Sequence, residues 1–283
     1  MSDLSPTVCI VGVGLLGGSL ALALKQRRLV RRVVGTDRLP GLLSRALERG
    51  LLDEAEPDLG RAVASADVVV FCTPVDVIAA QAIAASAHCK PGTLLTDVGS
   101  TKSAIVTAVE GRMPPGVDFV GAHPLAGSEK SGPEHSRVDL FEGRLVVLTP
   151  TATTTPAALD RARVFWLDLG ARVEILGAAE HDHALALTSH LPHLVASVLS
   201  GILPAEWAGL TATGFRDTTR LASGSPEMWK AIFSNNRDSV LQAIDHFRVH
   251  LAQYRAAIAA GDSRALERLL DDAKRIRDGL PAR

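Results

Sequence analysis

The run Thr7-Val-Cys-Ile-Val is apolar almost throughout, and it passes directly into Gly12-Val-Gly-Leu-Leu-Gly17. No other stretch limits the fold so tightly. A continuous apolar run reads as a parallel strand covered on both faces. Leu15 to Lys25, dominated by apolar residues and alanine, reads as a helix buried against a sheet. Val33-Val-Gly-Thr-Asp37 is then a second strand, and its terminal acid stands 20 residues after Gly17. A lone G-x-G-x-x-G is weak evidence. Between a strand and a helix, with an acid closing the next strand, it describes a dinucleotide-binding turn. Gly12 allows the tight turn, Gly14 lets backbone approach a pyrophosphate, and Gly17 permits close helix–strand packing, with the helix N-terminus facing the phosphates. Leu15 and Leu16 complete the turn. Asp37 at the ribose favours NAD over NADP. Arg38 beside it softens that choice, so NADP is the weaker alternative.

The alternation continues. Helical patterns cover Leu39–Arg49, Asp58–Ser65, Val75–Ala87, Ala104–Glu110 and Ala157–Leu169. Strands are predicted at Asp67–Pro74, Thr93–Asp97, Phe119–Ala122, Leu145–Thr149 and Arg172–Leu176. Thr73 and Pro74, where one strand ends, join the candidate cofactor contacts. The pattern implies a Rossmann-type, doubly wound, mainly parallel α/β sheet. After Gly177 the texture becomes helical. A long stretch from Ala179 to Leu203 is interrupted by Pro192. Glu227–Ala260 carries apolar residues at helical spacing, and Arg264–Gly279 is a charged amphipathic helix. The expected boundary lies near 177, between a dinucleotide-binding domain (1–177) and an all-helical substrate-binding domain (178–283). A helical half this small often buries leftover apolar faces against a second subunit, so a homodimer is expected.

Composition narrows the function classes. A net charge of −1 gives no basic surface for a polyanion, so nucleic acid is excluded as a partner. No secretory signal or membrane span is legible at the N-terminus or elsewhere. Cys9, Cys72 and Cys89 are an odd number at no metal-ligand spacing, and two of them lie in apolar strands. A reducing, cytoplasmic location is expected.

Four groups of residues beyond the glycine turn carry chemical potential. The first is Asp97, Ser100 and Lys102, after a strand of the cofactor half. The second is Gly121–Gly132, with His123, Ser128, Glu129 and Lys130. The third is Ser189-His-Leu-Pro-His193, and the fourth is Arg216-Asp-Thr-Thr-Arg220 with Trp229. The first two should share the sheet edge of the dinucleotide. A neutral histidine there suits removal of a hydroxyl proton as hydride departs. An ordinary Pro/Gly turn is the competing reading of Gly121–Gly132. Ser100 is equally well placed to cap a helix. His181, His183, His190 and His193 sketch H-x-H and H-x-x-H, but without cysteine and with Pro192 intervening, and no metal is expected. His193 is read as a substrate contact and His190 as a packing or capping residue. His181 and His183 are expected to face solvent. Arg220 either clamps a carboxylate bidentately or pairs with Asp217. Trp229 alone is more often core or interface.

Taken together, these motifs resemble the prephenate/arogenate dehydrogenase family of tyrosine biosynthesis over nearly the whole chain. The resemblance rests on the glycine turn with Ser19, Asp97–Lys102, His123–Gly132, Ser189–His193, and Arg216–Ala222 with Met228-Trp229. It implies NAD-dependent oxidative decarboxylation of a cyclohexadienol, prephenate or arogenate. His123 would hydrogen-bond the ring hydroxyl and assist its deprotonation, with Ser100 on the same oxygen. Arg220 would bind a substrate carboxylate, and His193 would lie near the side chain. Glu129 would gate the site by pairing with that arginine. Ser128 replaces a threonine frequent in the family. Asp217 or Glu129 would favour the amine of arogenate. With Arg283 ending the chain, no regulatory ACT domain or fused chorismate mutase is expected. The alternatives are a β-hydroxyacid-type dehydrogenase, for which no catalytic-lysine motif is seen, and a non-catalytic NAD sensor.

Overall fold

The structure, a computed structural model, describes residues 5–128 and 130–281. Six strands alternate with five helices in its first half. They are β1 (Thr7–Val11), α1 (Leu15–Gln26), β2 (Arg32–Thr36), α2 (Pro40–Glu48), β3 (Glu54–Ala55) and α3 (Leu59–Val63). β4 (Val68–Phe71), α4 (Val75–Ser86), β5 (Leu94–Asp97), α5 (Ser103–Val109) and β6 (Asp118–Pro124) follow. β7 (Leu145–Thr149), α6 (Pro156–Asp168) and β8 (Arg172–Ile175) complete the sheet. Its order is β3-β2-β1-β4-β5-β6-β7-β8. Every neighbouring pair is parallel except β6–β7.

The apolar strands follow from burial on both faces. Along β1, Val8 and Ile10 enter one core with Leu20, Leu24 and Trp166. Cys9 and Val11 enter the opposite core with Phe71, Ile78 and Leu95. Period-two side chains with no wet face leave no place for polar alternation. Cys9 is a packing group, and burial pushes its thiol far above the ordinary value. The chain runs outward from β1 through β2 to β3, then crosses to the other flank of β1 at β4. This reversal opens a crevice beyond the carboxyl ends of β1 and β4. β3, two residues long, was not legible in the sequence.

Beyond β8 the described residues form no strand. α7 (Ala178–Leu185) runs through a π-helical turn, Ala186–His190, into α8 (Leu191–Gly201). The expected interruption at Pro192 is therefore a π turn rather than a break. A proline in a regular helix lacks an N–H and presses on the carbonyl four residues back. Here that carbonyl belongs to Thr188, inside the widened turn. α9 (Thr213–Thr219), a 3₁₀ turn over 220–223 and α10 (Pro226–Asn235) follow. The helical spacing over Glu227–Ala260 corresponds to two helices, α10 and α11 (Arg237–Ala260). Asn236 separates them at φ −116°, ψ 35°, with its side-chain amide donating to the Asp182 carbonyl at 2.7 Å.

The chain packs as two compact units, 1–237 and 238–283, so the helical residues 178–237 belong to the first. In the second unit, α12 (Ser263–Asp278) is capped by Asp262, which accepts from the Ala265 amide at 3.0 Å. Tyr254 donates to the Leu269 carbonyl at 2.9 Å and ties α11 to α12. Among the described residues no helix is long and apolar enough to cross a membrane.

Candidate active site

The glycine turn has three glycines with three different reasons. Gly12 adopts φ +94°, and a Cβ there would lie 2.8 Å from Thr73 Cγ2 and 2.9 Å from the Cys72 backbone. A Cβ on Gly17 would lie 2.1 Å from the Gly12 carbonyl oxygen. The fold itself demands both. Gly14 is different: among the described residues a Cβ there meets nothing within 4 Å, and no side chain caps the start of α1. The space above Gly14 and the uncapped amides of α1 fit a dinucleotide pyrophosphate. Gly14→Ala is therefore expected to leave the melting temperature unchanged and weaken NAD binding. Gly17→Ala should impair both. Calorimetry of NAD binding beside thermal melts checks the pair, and equal behaviour of the two variants would contradict the assignment.

Around the turn, Asp37 stands half-buried at the end of β2. Its Oδ2 accepts from the Val13 amide and its Oδ1 from the Leu39 amide, both at 2.9 Å. The acid thus also holds the turn in place. Arg38 is exposed, Leu15 and Leu16 are half-buried against the core, and the Thr73 hydroxyl donates to Gln81. Pro74 is exposed at the N-cap of α4.

The loop after β5 closes over a buried ion pair. Asp97 and Lys102 are both fully buried and paired. Asp97 also accepts from the Gly99 amide at 2.9 Å and the Ala122 amide at 3.0 Å, while Lys102 Nζ donates to the Ala122 carbonyl at 2.8 Å. These bonds stitch the loop to β6 one residue before His123. Burial draws the Lys102 ammonium below its ordinary value, against the opposing pull of Asp97.

His123 sits on β6 opposite Val147 of β7 and is 8% exposed. Its Nδ1 lies 2.8 Å from His181 Nε2, the rings meeting edge-on. Its Nε2 makes no hydrogen bond among the described residues. Burial first, then the neighbouring His181, Lys102 and His190 groups, hold the imidazole well below its ordinary pKa. The ring is neutral at neutral pH.

His181 corrects the sequence reading. It is fully buried, whereas His183 is exposed as expected. His181 Nδ1 lies 2.9 Å from Asp182 Oδ1. Asp182 in turn accepts from the main-chain amides of Lys102 at 2.7 Å and Ser103 at 2.8 Å. Burial alone would push the Asp182 carboxyl up, but the His181 contact and these amides outweigh it and hold it below the ordinary value. Asp182, from α7, is therefore the group that caps α5. Ser100, offered as that cap by its position, makes no side-chain hydrogen bond among the described residues and is half-buried. His181 and Asp182 were missed as functional candidates. The only local signal, an acid between two histidines, reads equally as a metal motif or a wet helix start.

The helical elements assemble a second cluster. His193 on α8 stacks on Trp229 at 3.6 Å between ring centroids and 13° between planes. Gly224 lies against both; a Cβ there would be 2.6 Å from Trp229 Nε1. His190 is buried, with Nδ1 3.1 Å from the Asn236 amide nitrogen, and burial lowers it to about 4. Arg220 is exposed in the 3₁₀ turn that packs on α8, and Asp217 is exposed on α9. No salt bridge joins Asp217 to Arg220, so the ion-pair reading of that spacing does not hold. Ser128 is exposed and accepts from the Lys130 amide at 3.2 Å. Glu129 lies outside the described residues. Among those described, no three His, Cys, Asp or Glu side chains gather as a metal site.

Residues 20–175 match the family described as prephenate dehydrogenase, nucleotide-binding domain, and residues 177–272 match prephenate dehydrogenase, dimerization domain. A prephenate dehydrogenase of Bacillus subtilis is 34% identical over all of this chain and 78% of its own length. A cyclohexadienyl dehydrogenase of Zymomonas mobilis is 34% identical over 96% of this chain and 95% of its own. Among solved structures, prephenate dehydrogenase from A. aeolicus in complex with hydroxyphenyl propionate and NAD+ is 33% identical. It superposes with a TM-score of 0.90 over 98% of this chain and 99% of its own. With both halves matched and the likeness in sequence and backbone running the full length, the chain belongs to the prephenate dehydrogenase family.

Proposed function

We propose that this chain oxidatively decarboxylates prephenate, or its amino counterpart arogenate, with NAD as hydride acceptor. The observation that carries this reading is His123: a neutral ring at the carboxyl edge of the cofactor sheet, one nitrogen anchored and the other without a partner among the described residues. The names of the relatives support the same reaction, and the A. aeolicus enzyme, in complex with hydroxyphenyl propionate and NAD+, supports NAD as the cofactor.

Bound NAD supplies the acceptor for the hydride leaving the carbinol carbon. His123 Nε2 takes the hydroxyl proton as that carbon becomes a carbonyl. Ser100, not consumed by capping, donates to the same oxygen. The ring carboxylate then leaves as carbon dioxide, and the electrons of its carbon–carbon bond pass into the ring. The phenolate recovers its proton from His123, so no net proton is consumed. Aromaticity makes the sequence irreversible. Arg220 holds a carboxylate bidentately. His193, held flat by Trp229, lines the side-chain end with Ser128, while Asp217 and Glu129 bear on the choice between keto and amino substrates. Thr73, Pro74, Leu15, Leu16 and Arg38 complete the cofactor contacts.

The appearance of NADH with each substrate, with NAD and with NADP, tests the reading; no NADH from either substrate sinks it. Arg220→Gln should raise KM by about tenfold to a hundredfold with a smaller effect on kcat, through loss of a charge-assisted bidentate contact. Steady-state kinetics check this, and an unchanged KM removes Arg220 from the site.

Residues 178–283 are read as the substrate-binding and dimerisation half of a cytoplasmic homodimer. Two observations support the dimer: the family description of that segment and the exposed apolar side chains Val198, Ile202, Trp207 and Leu210. A monomeric mass by light scattering would refute it.

A further inference from the structure

We infer that His181 and Asp182 are positioning residues that decide which nitrogen of His123 is bare, so that the ring meets the substrate hydroxyl as a base. The inference rests on the reading of His123 as that base, and it adds two residues that the motifs do not mark.

One chain of contacts links Asp182 through His181 to His123. Asp182 receives two main-chain N–H groups, from Lys102 and Ser103, so its oxygens act as acceptors. The His181 nitrogen facing it, Nδ1 at 2.9 Å, must therefore carry the hydrogen. With that hydrogen on Nδ1, the His181 ring turns its other nitrogen, Nε2, toward His123 as an acceptor. The atom opposite, His123 Nδ1 at 2.8 Å, must donate. His123 is thereby left with its hydrogen on Nδ1 and a lone pair on Nε2. Imidazole in water favours the other form, with the hydrogen on Nε2, which cannot take a proton there. The chain also matters after proton transfer. The imidazolium formed at His123 keeps its Nδ1–H on His181, whose far side rests on a buried carboxylate.

Three anchors make the geometry rigid. The N-terminus of α5 holds Asp182 through two amides, and Asn236 holds its carbonyl at 2.7 Å. Lys102, whose amide donates to Asp182, is itself locked to Asp97. Asp182 thus has a structural duty as a cap, which makes it a poor probe. His181 is the better one, since its ring bonds only Asp182 and His123 among the described residues.

The experiment uses the full chain labelled with ¹⁵N. Long-range ring ¹H–¹⁵N correlations report the tautomer of His123 directly. The wild type should show the hydrogen on Nδ1. His181→Asn keeps an amide donor for Asp182 but places no atom near His123. In this variant the hydrogen should move to Nε2 and kcat should fall by about a hundredfold, with KM within about twofold. The amide of His181→Gln reaches the position of the lost Nε2, and its oxygen can accept from Nδ1. That variant should restore the wild-type tautomer and at least about tenfold of the lost kcat. A purely structural His181 would lower the melting temperature without moving the tautomer. The inference is overturned if wild-type His123 carries its hydrogen on Nε2, or if His181→Asn leaves tautomer and kcat unchanged. A wild type inactive on both substrates would sink the proposed reaction and leave the tautomer result standing.

Discussion

His123→Asn should lower kcat by about 10²- to 10⁴-fold while KM moves by less than about threefold. The asparagine amide reaches only as far as the imidazole Nδ1. It preserves the contact toward His181 and deletes Nε2, the atom proposed to meet the substrate hydroxyl. A base whose proton affinity matters mainly in the transition state affects turnover more than binding. The pH dependence adds a second reading. Burial, with His181, Lys102 and His190 behind it, depresses the wild-type imidazole. The neutral, competent form therefore persists as pH falls through the ordinary imidazole range, and the acid limb of kcat/KM should lie well below it. Steady-state kinetics across pH check both points. Near-wild-type kcat in the variant removes His123 from the chemistry.

Lys102→Met should be the most damaging single change to stability. Lys102 and Asp97 are both shut off from solvent, and removing one partner leaves the other as an uncompensated buried charge. Losses of about 3–5 kcal/mol are typical of such a break. For a unit of this size that lowers Tm by roughly 6–20 °C. Methionine fills much of the lysine stem, so the loss is electrostatic rather than a cavity. Asp97 cannot withdraw, since the Gly99 and Ala122 amides depend on it. The double variant Asp97→Asn with Lys102→Met removes the stranded charge and should recover part of the loss. Thermal melts of the two variants decide the matter, and an unchanged Tm in Lys102→Met contradicts the account. Because the pair anchors β6 one residue before His123, surviving Lys102→Met protein should also turn over more slowly.

Much of the cofactor half was legible in the chain because the physics there is local. Two-sided burial of β1 and β4 demands nearly unbroken apolar runs. A positive φ at Gly12 demands glycine, and an acid closing β2 stands beside the turn it supports. The helices β-α units require are visible in spacing alone, to within a residue or two. β3 escaped because two residues carry no period. The interruption at Pro192 is misread, and the break at Asn236 goes unread, for a related reason. A proline predicts strain in a helix, not that the preceding turn will widen to absorb it. Helical spacing likewise gives no warning that Asn236 will leave the helix to reach a carbonyl on α7.

The candidate site divides along the same line. His123, Ser100, Arg220 and His193 were nameable because each stands in a motif of distinctive local chemistry. His181, by contrast, sits in a polar helix start that looks wet, and nothing within a few residues says otherwise. It is buried because α7 docks against the start of α5, where Asp182 answers amide donors 79 and 80 residues away. Its ring then meets a histidine 58 residues earlier. By itself the sequence determined the backbone menu, the two-sided sheet and the glycine turn, since backbone period and dihedral preference are properties of neighbouring residues. Only the tertiary structure decided which polar groups lose their water and which nitrogen of His123 is left bare. Desolvation and hydrogen-bond direction depend on what docks, not on what is adjacent.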